Sequence, residues 1–347
     1  MSSPQQFGVD PQASRPPQTI VVSGGGRSWL GTLFFVLSLV ANVVLLMMVL
    51  GLGALLAGYS TGEGVEEKFY TGDAAAVKKI AIVSVEGVLM GAQADFILRE
   101  IKQADEDKDV AAVILAVDSP GGTISDSDRI YHRLLRLREQ GKKPLVASMQ
   151  GLAASGGYYV SMAADEVIAE RSTITGSIGV IATFFNVHKL LDKWGVEVKA
   201  LTSGPLKDSG SPFRDMTEEE RKRWQELIDH SYQQFLDVVA QGRPELKPEA
   251  IKPFAHGGVL TARQALDAKL IDSIGYLDDA NEAAKRLCGE SKVRVVRYKK
   301  PVSLMGLLLG SAPAPQLGFD VESLLKLNVP QVLYLSQWPV GRLEIRN

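Results

Sequence analysis

Gly151-Leu152-Ala153-Ala154-Ser155-Gly156-Gly157-Tyr158-Tyr159 places one hydroxyl among residues too small to cover it. The preceding run, Pro144 to Met149, reads as a short buried strand, and Tyr158 to Ala164 reads as a buried helix, so Ser155 falls at a strand-to-helix turn. Two glycines in a first helical turn each cost about 1 kcal/mol relative to alanine, so helix propensity does not explain them. Close approach of another stretch of backbone does. A helix N-terminus also directs free N–H groups outward, where they stabilise a developing oxyanion beside an attacking serine. Ser155 is therefore a candidate nucleophile, and the competing reading is a Gly/Ser-rich turn that binds nothing.

Working outward, Lys79 opens a β-rich run through Val85, and Asp95 to Ala104 offers Phe96, Ile97, Ile101 and Ala104 at helical spacing. A second buried strand, Val110 to Val117, leads into an expected loop, Asp118-Ser119-Pro120-Gly121-Gly122, and a helix through Ile130, Leu134, Leu135 and Leu137. Glu166 to Ala169 begins a fourth strand, and Val196 to Leu201 reads as another. Such alternation builds a mostly parallel sheet covered by helices, with active groups beyond the carboxyl ends of the strands. The Gly121-Gly122 and Ser155 segments then face one another, and the N–H groups of Gly122 and Gly156 make a two-donor oxyanion hole. From Thr217 the chain reads as one long helix with a Thr217/Glu220 capping box and an apolar face of Trp224, Leu227, Ile228, Tyr232, Phe235 and Val239. Two shorter helices, Ala262 to Leu270 and Leu277 to Leu287, follow.

The chain has 347 residues, a formal net charge of −2 and a single cysteine, Cys288, which excludes an intrachain disulfide or a thiolate metal cluster. No basic stripe or tail points to nucleic acid. Between Arg27 and Glu63 there is no charged side chain, and the apolar stretch from 29 to 59 is long enough to span a bilayer. Leu55-Leu56-Ala57 is a poor cleavage site, so this stretch reads as an uncleaved anchor. Arg15 and Arg27 before it, against mainly Lys68 after it, favour a cytoplasmic N-terminus and an extracytoplasmic body. Residues 1–28, rich in Pro and Gly, read as a disordered tail, and 60–78 as a tether.

A serine nucleophile needs a base. Of His132, His188, His230 and His256, only His256 lies in a loop that suits a hydrolase order of serine, acid and histidine, and the elbow motif for that order is one glycine short. The alternative is a lysine held neutral, although a free lysine titrates at about 10.4. Lys207 has a suitable setting, a loop of small residues from Thr202 to Phe213.

Four motifs in order then carry a resemblance: Asp118-Ser119-Pro120-Gly121-Gly122; Ala153-Ala154-Ser155-Gly156-Gly157-Tyr158-Tyr159; Thr175-Gly176-Ser177-Ile178-Gly179-Val180; and Ser203-Gly204 through Lys207-Asp208 to Ser211-Pro212-Phe213. Together they resemble the signal peptide peptidase A family of membrane-anchored serine proteases, in its short, single-unit form. The resemblance implies a ClpP/crotonase-like α/β fold of repeated ββα units. It implies Ser155 as nucleophile, Lys207 as general base, Ser177 as the hydroxyl that orients the lysine, and Gly122 in the oxyanion hole. It further implies hydrophobic peptide substrates such as remnant signal peptides, and a homo-oligomeric ring whose sites draw serine and lysine from neighbouring copies. No metal or other cofactor is needed. On this reading residues 79–300 form the protease domain and 301–347 a C-terminal extension. The rivals are a non-catalytic membrane scaffold, which needs no Ser/Lys pair, and a crotonase-type acyl-CoA enzyme, which needs no anchor.

Overall fold

A computed structural model describes residues 29–61, 64–301 and 332–335; the tail read over 1–28 and most of the extension read over 301–347 lie outside these. The chain divides into two units, 1–59 and 60–347. The described residues of the first all lie in one helix, α1 (Trp29–Thr61), of which Trp29–Gly53 is long and apolar enough to cross a membrane. Those 25 residues rise about 37 Å at ~1.5 Å per residue, enough for a hydrocarbon core of ~30 Å with some tilt.

The second unit begins with β1 (Glu66–Gly72), β2 (Lys79–Leu89), α2 (Gly91–Glu106), β3 (Val110–Thr123), α3 (Ile124–Glu139), β4 (Leu145–Ala154) and α4 (Gly156–Ser161). Three short strands follow, β5 (Glu166–Ala169), β6 (Ile174–Gly176) and β7 (Ile181–Ala182), then α5 (His188–Lys193) and the long α6 (Glu218–Gly242). The remainder is α7 (Pro248–Ile251), β8 (Val259–Thr261), α8 (Ala262–Asp267), β9 (Ser273–Ile274), α9 (Leu277–Cys288), β10 (Arg294–Lys299) and β11 (Val332–Leu335). The main path of the sheet runs β1-β10-β2-β3-β4-β5-β9 and is parallel except that β1 is antiparallel to β10; off this path β6 is parallel to β4, whereas β8 on β6 and β11 on β3 and β7 are antiparallel. This is the mixed α/β architecture expected from the alternation of strand and helix.

Period-two alternation explains why the central strands read as unbroken apolar runs. Ala81, Val83 and Val85 of β2, with Val113, Leu115 and Val117 of β3, face the core built with α2, α3, α4 and α6. Ile80, Ile82, Ala112, Ile114 and Ala116 face the opposite core against Ala280, Ala283 and Ala284 of α9. Both faces are covered, so no polar face is needed. Where β10 stops pairing with β2 at Ile82, a side chain takes over: Glu100 of α2 accepts the Ser84 N–H at 3.1 Å. Burial pushes the Glu100 carboxyl up to about 8.

Three expectations change. Part of the stretch read as tether is strand: β1 lies on β10, and Lys79 closes ion pairs with Glu67 at 2.5 Å and Asp107 at 2.7 Å. Its run of Glu66, Glu67 and Lys68 suits an edge strand, which meets solvent on one side. Asp118 to Gly122 is not a loop but the end of β3, which runs to Thr123. Val196 to Leu201 is not a strand; it pairs with no strand among the described residues, and its side chains are exposed.

Candidate active site

The site assembles where β4 outruns β5. Up to Met149, β4 pairs with β5; from Leu152 to Ala154 its partner is β6, and the chain then turns sharply into α4. Ser155 is that turn. Its φ of 54° and ψ of −115° lie in the half of the conformational map that favours glycine, and its N–H donates to Gly176 O at 2.8 Å. The residue is 1 % exposed, and its Oγ has no hydrogen-bond partner among the described residues.

The glycines around it meet backbone. A Cβ on Gly156 would stand 2.6 Å from Ser127 Oγ, 3.0 Å from Gly121 Cα and 3.1 Å from Gly122 N. One on Gly157 would stand 2.8 Å from Ser119 O, and one on Gly122 would stand 2.1 Å from Leu89 O. No residue with a side chain fits at these positions without displacing backbone, so the end of β3 and the start of α4 lie in direct contact. Ser127, whose buried Oγ also lacks a partner among the described residues, stands beside them and was not singled out from sequence.

Below the turn α4 is fixed from several sides. Tyr158 donates its hydroxyl to Leu270 O at 2.9 Å, and burial holds its phenol well above the usual range. The Tyr159 ring meets Tyr131 and Phe235 edge-on at centroid distances of 5.3 and 5.1 Å. These contacts make α4 a rigid base for Ser155.

Ser177 follows β6 and has a positive φ of its own, 51°. Its N–H donates to Gly258 O at 2.8 Å and its Oγ to Gly257 O at 3.2 Å. It lines a cavity of about 650 Å³ together with Val180, Asp229, Tyr232 and His256. Ser155 and Ser177 are thus brought to neighbouring points of one β4–β6 seam. Lys207 forms no hydrogen bond with either: its side chain is exposed and makes no hydrogen bond or ion pair among the described residues. His256 is exposed too, and His132, His188 and His230 lie on α3, α5 and α6.

A feature absent from the sequence reading holds the Lys207 loop. Arg214 forks between Asp208 (2.8 and 2.9 Å) and Glu220, which takes one guanidinium nitrogen at 2.9 Å and a second more closely. Glu220 also closes the expected capping box, accepting the Thr217 N–H at 2.7 Å. The Arg214 contact brings the Glu220 carboxyl down to about 2 and holds that of Asp208 low as well. Trp224 of α6 adds an Nε1–H donated to Ser209 Oγ at 3.0 Å. The signal was present in Asp208, Arg214 and Glu220 at six-residue spacing, but spacing across a loop carries no geometry.

Among the described residues no group of His, Cys, Asp and Glu is arranged to hold a metal. Comparison with known proteins finds a match to peptidase family S49 over residues 137–290, a range that includes Ser155, Ser177 and Lys207 but not Gly122. A putative protease of Synechocystis sp. is 41 % identical over 235 residues, covering 67 % of this chain and 83 % of that protein. A putative signal peptide peptidase of Enterococcus faecium is 36 % identical over 252 residues, covering 70 % and 72 % respectively. Protease 4 of Haemophilus influenzae is 32 % identical over 296 residues, 77 % of this chain and 48 % of that protein.

Proposed function

The chain belongs to peptidase family S49, and from that premise we propose that it is a membrane-anchored serine endopeptidase cutting extended apolar peptides, such as remnant signal peptides, through Ser155 and Lys207. The observation that carries this reading is Ser155 itself, a buried hydroxyl with no partner among the described residues, at a strained turn among glycines. Backbone strain and orphaned polar atoms each cost free energy, and both gather where chemistry needs them. The three relatives described above are named as proteases or a peptidase, not as scaffolds or acyl-CoA enzymes.

In the reaction, Ser155 Oγ attacks the scissile carbonyl and the neutral Lys207 amine takes its proton. The carbonyl oxygen, now negative, is met by the N–H groups of Gly122 and Gly156. Lys207 returns the proton to the leaving amine, and water releases the acyl group by the same steps. Ser177 orients the lysine. In this proposal the lysine comes from a neighbouring copy in a homo-oligomeric ring; its exposure in the chain, with Ser155 enclosed, supports that arrangement. An extended substrate is favoured by the placement of β11, which lies antiparallel on β3 at Gly121–Thr123 and on β7 at Ile181–Ala182. A four-residue stretch thus adds as a strand next to the glycines. With the N-terminus cytoplasmic, the protease domain stands outside the cytoplasm.

The test is complementation. Ser155→Ala and Lys207→Ala, each folded and each inert on an apolar peptide, regain hydrolysis when dissociated and reassembled together, since mixed rings contain junctions at which an intact serine meets an intact lysine. Hydrolysis by either variant alone removes its residue from the mechanism. Two inert variants that stay inert after verified mixing put both residues in one chain's site instead.

A further inference from the structure

We infer that His256 is a positioning residue for this reaction, fastening the turn that holds Ser177; the inference rests on the Ser155/Lys207 reading. The Gly258 N–H donates to His256 Nδ1 at 3.2 Å, a bond from a side chain to the backbone two residues on. That bond folds residues 256–258 into a tight turn with Gly257 at φ 83°. The two carbonyls of the turn do the holding: Gly258 O takes the Ser177 N–H and Gly257 O takes the Ser177 hydroxyl. Gly257 N–H in return donates to Ile178 O at 3.0 Å. The two segments lie so close that a Cβ on Gly179 would stand 2.9 Å from Gly257 Cα. From the other side Tyr232 of α6 donates its hydroxyl to Ala255 O at 2.6 Å, fixing where the turn begins.

Ser177 needs such support because a serine at φ 51° is not at rest there. Once its conformation is given by the 256–258 turn, its hydroxyl has a fixed place on the wall of the cavity it shares with His256, Asp229 and Tyr232. A lysine amine arriving from a neighbouring copy then meets an oriented group. Among the described residues the His256 side chain bonds only the Gly258 N–H and makes no hydrogen bond to Ser155, which separates this role from that of a general base. Its Nδ1 is two bonds beyond Cβ, and so is the side-chain oxygen of asparagine, which makes the same i to i+2 bond in Asx turns. Alanine has no acceptor, and glutamine carries its oxygen one bond too far.

The experiment measures kcat and KM for peptide hydrolysis by the full chain in detergent, with thermal unfolding as a control for folding. His256→Ala is expected to lose about tenfold or more in kcat with KM held within about twofold, because misplacing a reacting group by a fraction of an ångström acts on the chemical step. His256→Asn should return to within about threefold of the parent, and His256→Gln should not. In a Ser177→Ala background, itself slowed, His256→Ala should add nothing, since the two act through one another. Undiminished activity in His256→Ala overturns the inference. So does a folded His256→Asn as impaired as His256→Gln, which makes the imidazole itself the reacting group, or a fully additive loss in the double variant. If His256→Ala does not fold, the Asn and Gln pair decides alone. Failure of the underlying reading shows elsewhere: an active Ser155→Ala removes the dyad and this role with it, whereas an inert Ser155→Ala beside a fully active His256→Ala removes only His256.

Discussion

Ser155 donates its backbone N–H to Gly176 O at 2.8 Å, so the residue that carries the candidate nucleophile is held by the residue immediately before Ser177. The two serines are therefore coupled through one peptide unit. They are also two of the four non-glycine residues with positive φ among the described residues, the others being Lys142 and Lys269.

That coupling gives Gly176 a specific role. It has φ 75°, and a Cβ there would stand 3.2 Å from the Leu260 side chain. Gly176→Ala should destabilise the fold by about 1–2 kcal/mol and lower kcat by more than the unfolded fraction explains. Thermal melts and hydrolysis on the same preparation check this; loss of stability with unchanged kcat would show that the Ser155 turn holds without Gly176.

Arg214 should matter to the lysine loop in the same indirect way. Arg214→Met leaves Glu220 enclosed without its cation and frees Asp208, at an expected cost of about 1–3 kcal/mol, below the figure for fully buried pairs because Arg214 is a third exposed. Hydrolysis should fall about tenfold or more as Lys207 loses its fixed approach. Arg214→Lys should not restore it, since an ammonium cannot fork between two carboxylates. A fully active Arg214→Met would detach the clamp from function.

Two carboxyls should make stability depend on pH with opposite signs. Glu100 is raised from 4.5 to about 8 in the fold, so the folded state holds a proton the unfolded chain has lost, and stability falls as pH rises between those values. Glu100→Gln should remove that decline while keeping an acceptor for Ser84 N–H. Glu220 is lowered to about 2, so its contribution is complete above the unfolded value near 4.5 and disappears as pH falls toward 2. Unfolding midpoints of the parent, Glu100→Gln and Glu220→Gln across this range test both. An alkaline slope in Glu100→Gln equal to the parent's would refute the assignment to Glu100.

The elements legible in the sequence were those whose cause is local. Apolar runs marked β2, β3 and β4, the Thr217/Glu220 box marked the start of α6, and the glycines at 121, 122, 156 and 157 announced a close approach that the backbone contacts bear out. What escaped depends on partners remote in sequence. β1 hides behind the charges of an edge strand and is defined only by β10, more than 200 residues later. β3 carries Pro120 and two glycines near its end, which argue for a loop until β2 and β4 supply neighbours on either side. The converse holds for Val196 to Leu201, with strand composition and no strand paired to it among the described residues. Arg214 and His256 were invisible as supports because each acts through a contact whose geometry only the folded loop creates.

The backbone at Ser155 has one further consequence. Glycine rests comfortably at φ 54° and ψ −115°, and it brings no hydroxyl to leave unmatched. Ser155→Gly should therefore melt higher than the parent, by about 1 kcal/mol or more, whereas Ser155→Ala keeps the strain and gains less. Both should be inert toward peptides. A parent chain that melts above Ser155→Gly would mean that the turn is relaxed. With the expected order, the sequence that best suits this turn is one that cannot cut anything, and the living protein is held a single codon away from a sturdier, idle version of itself.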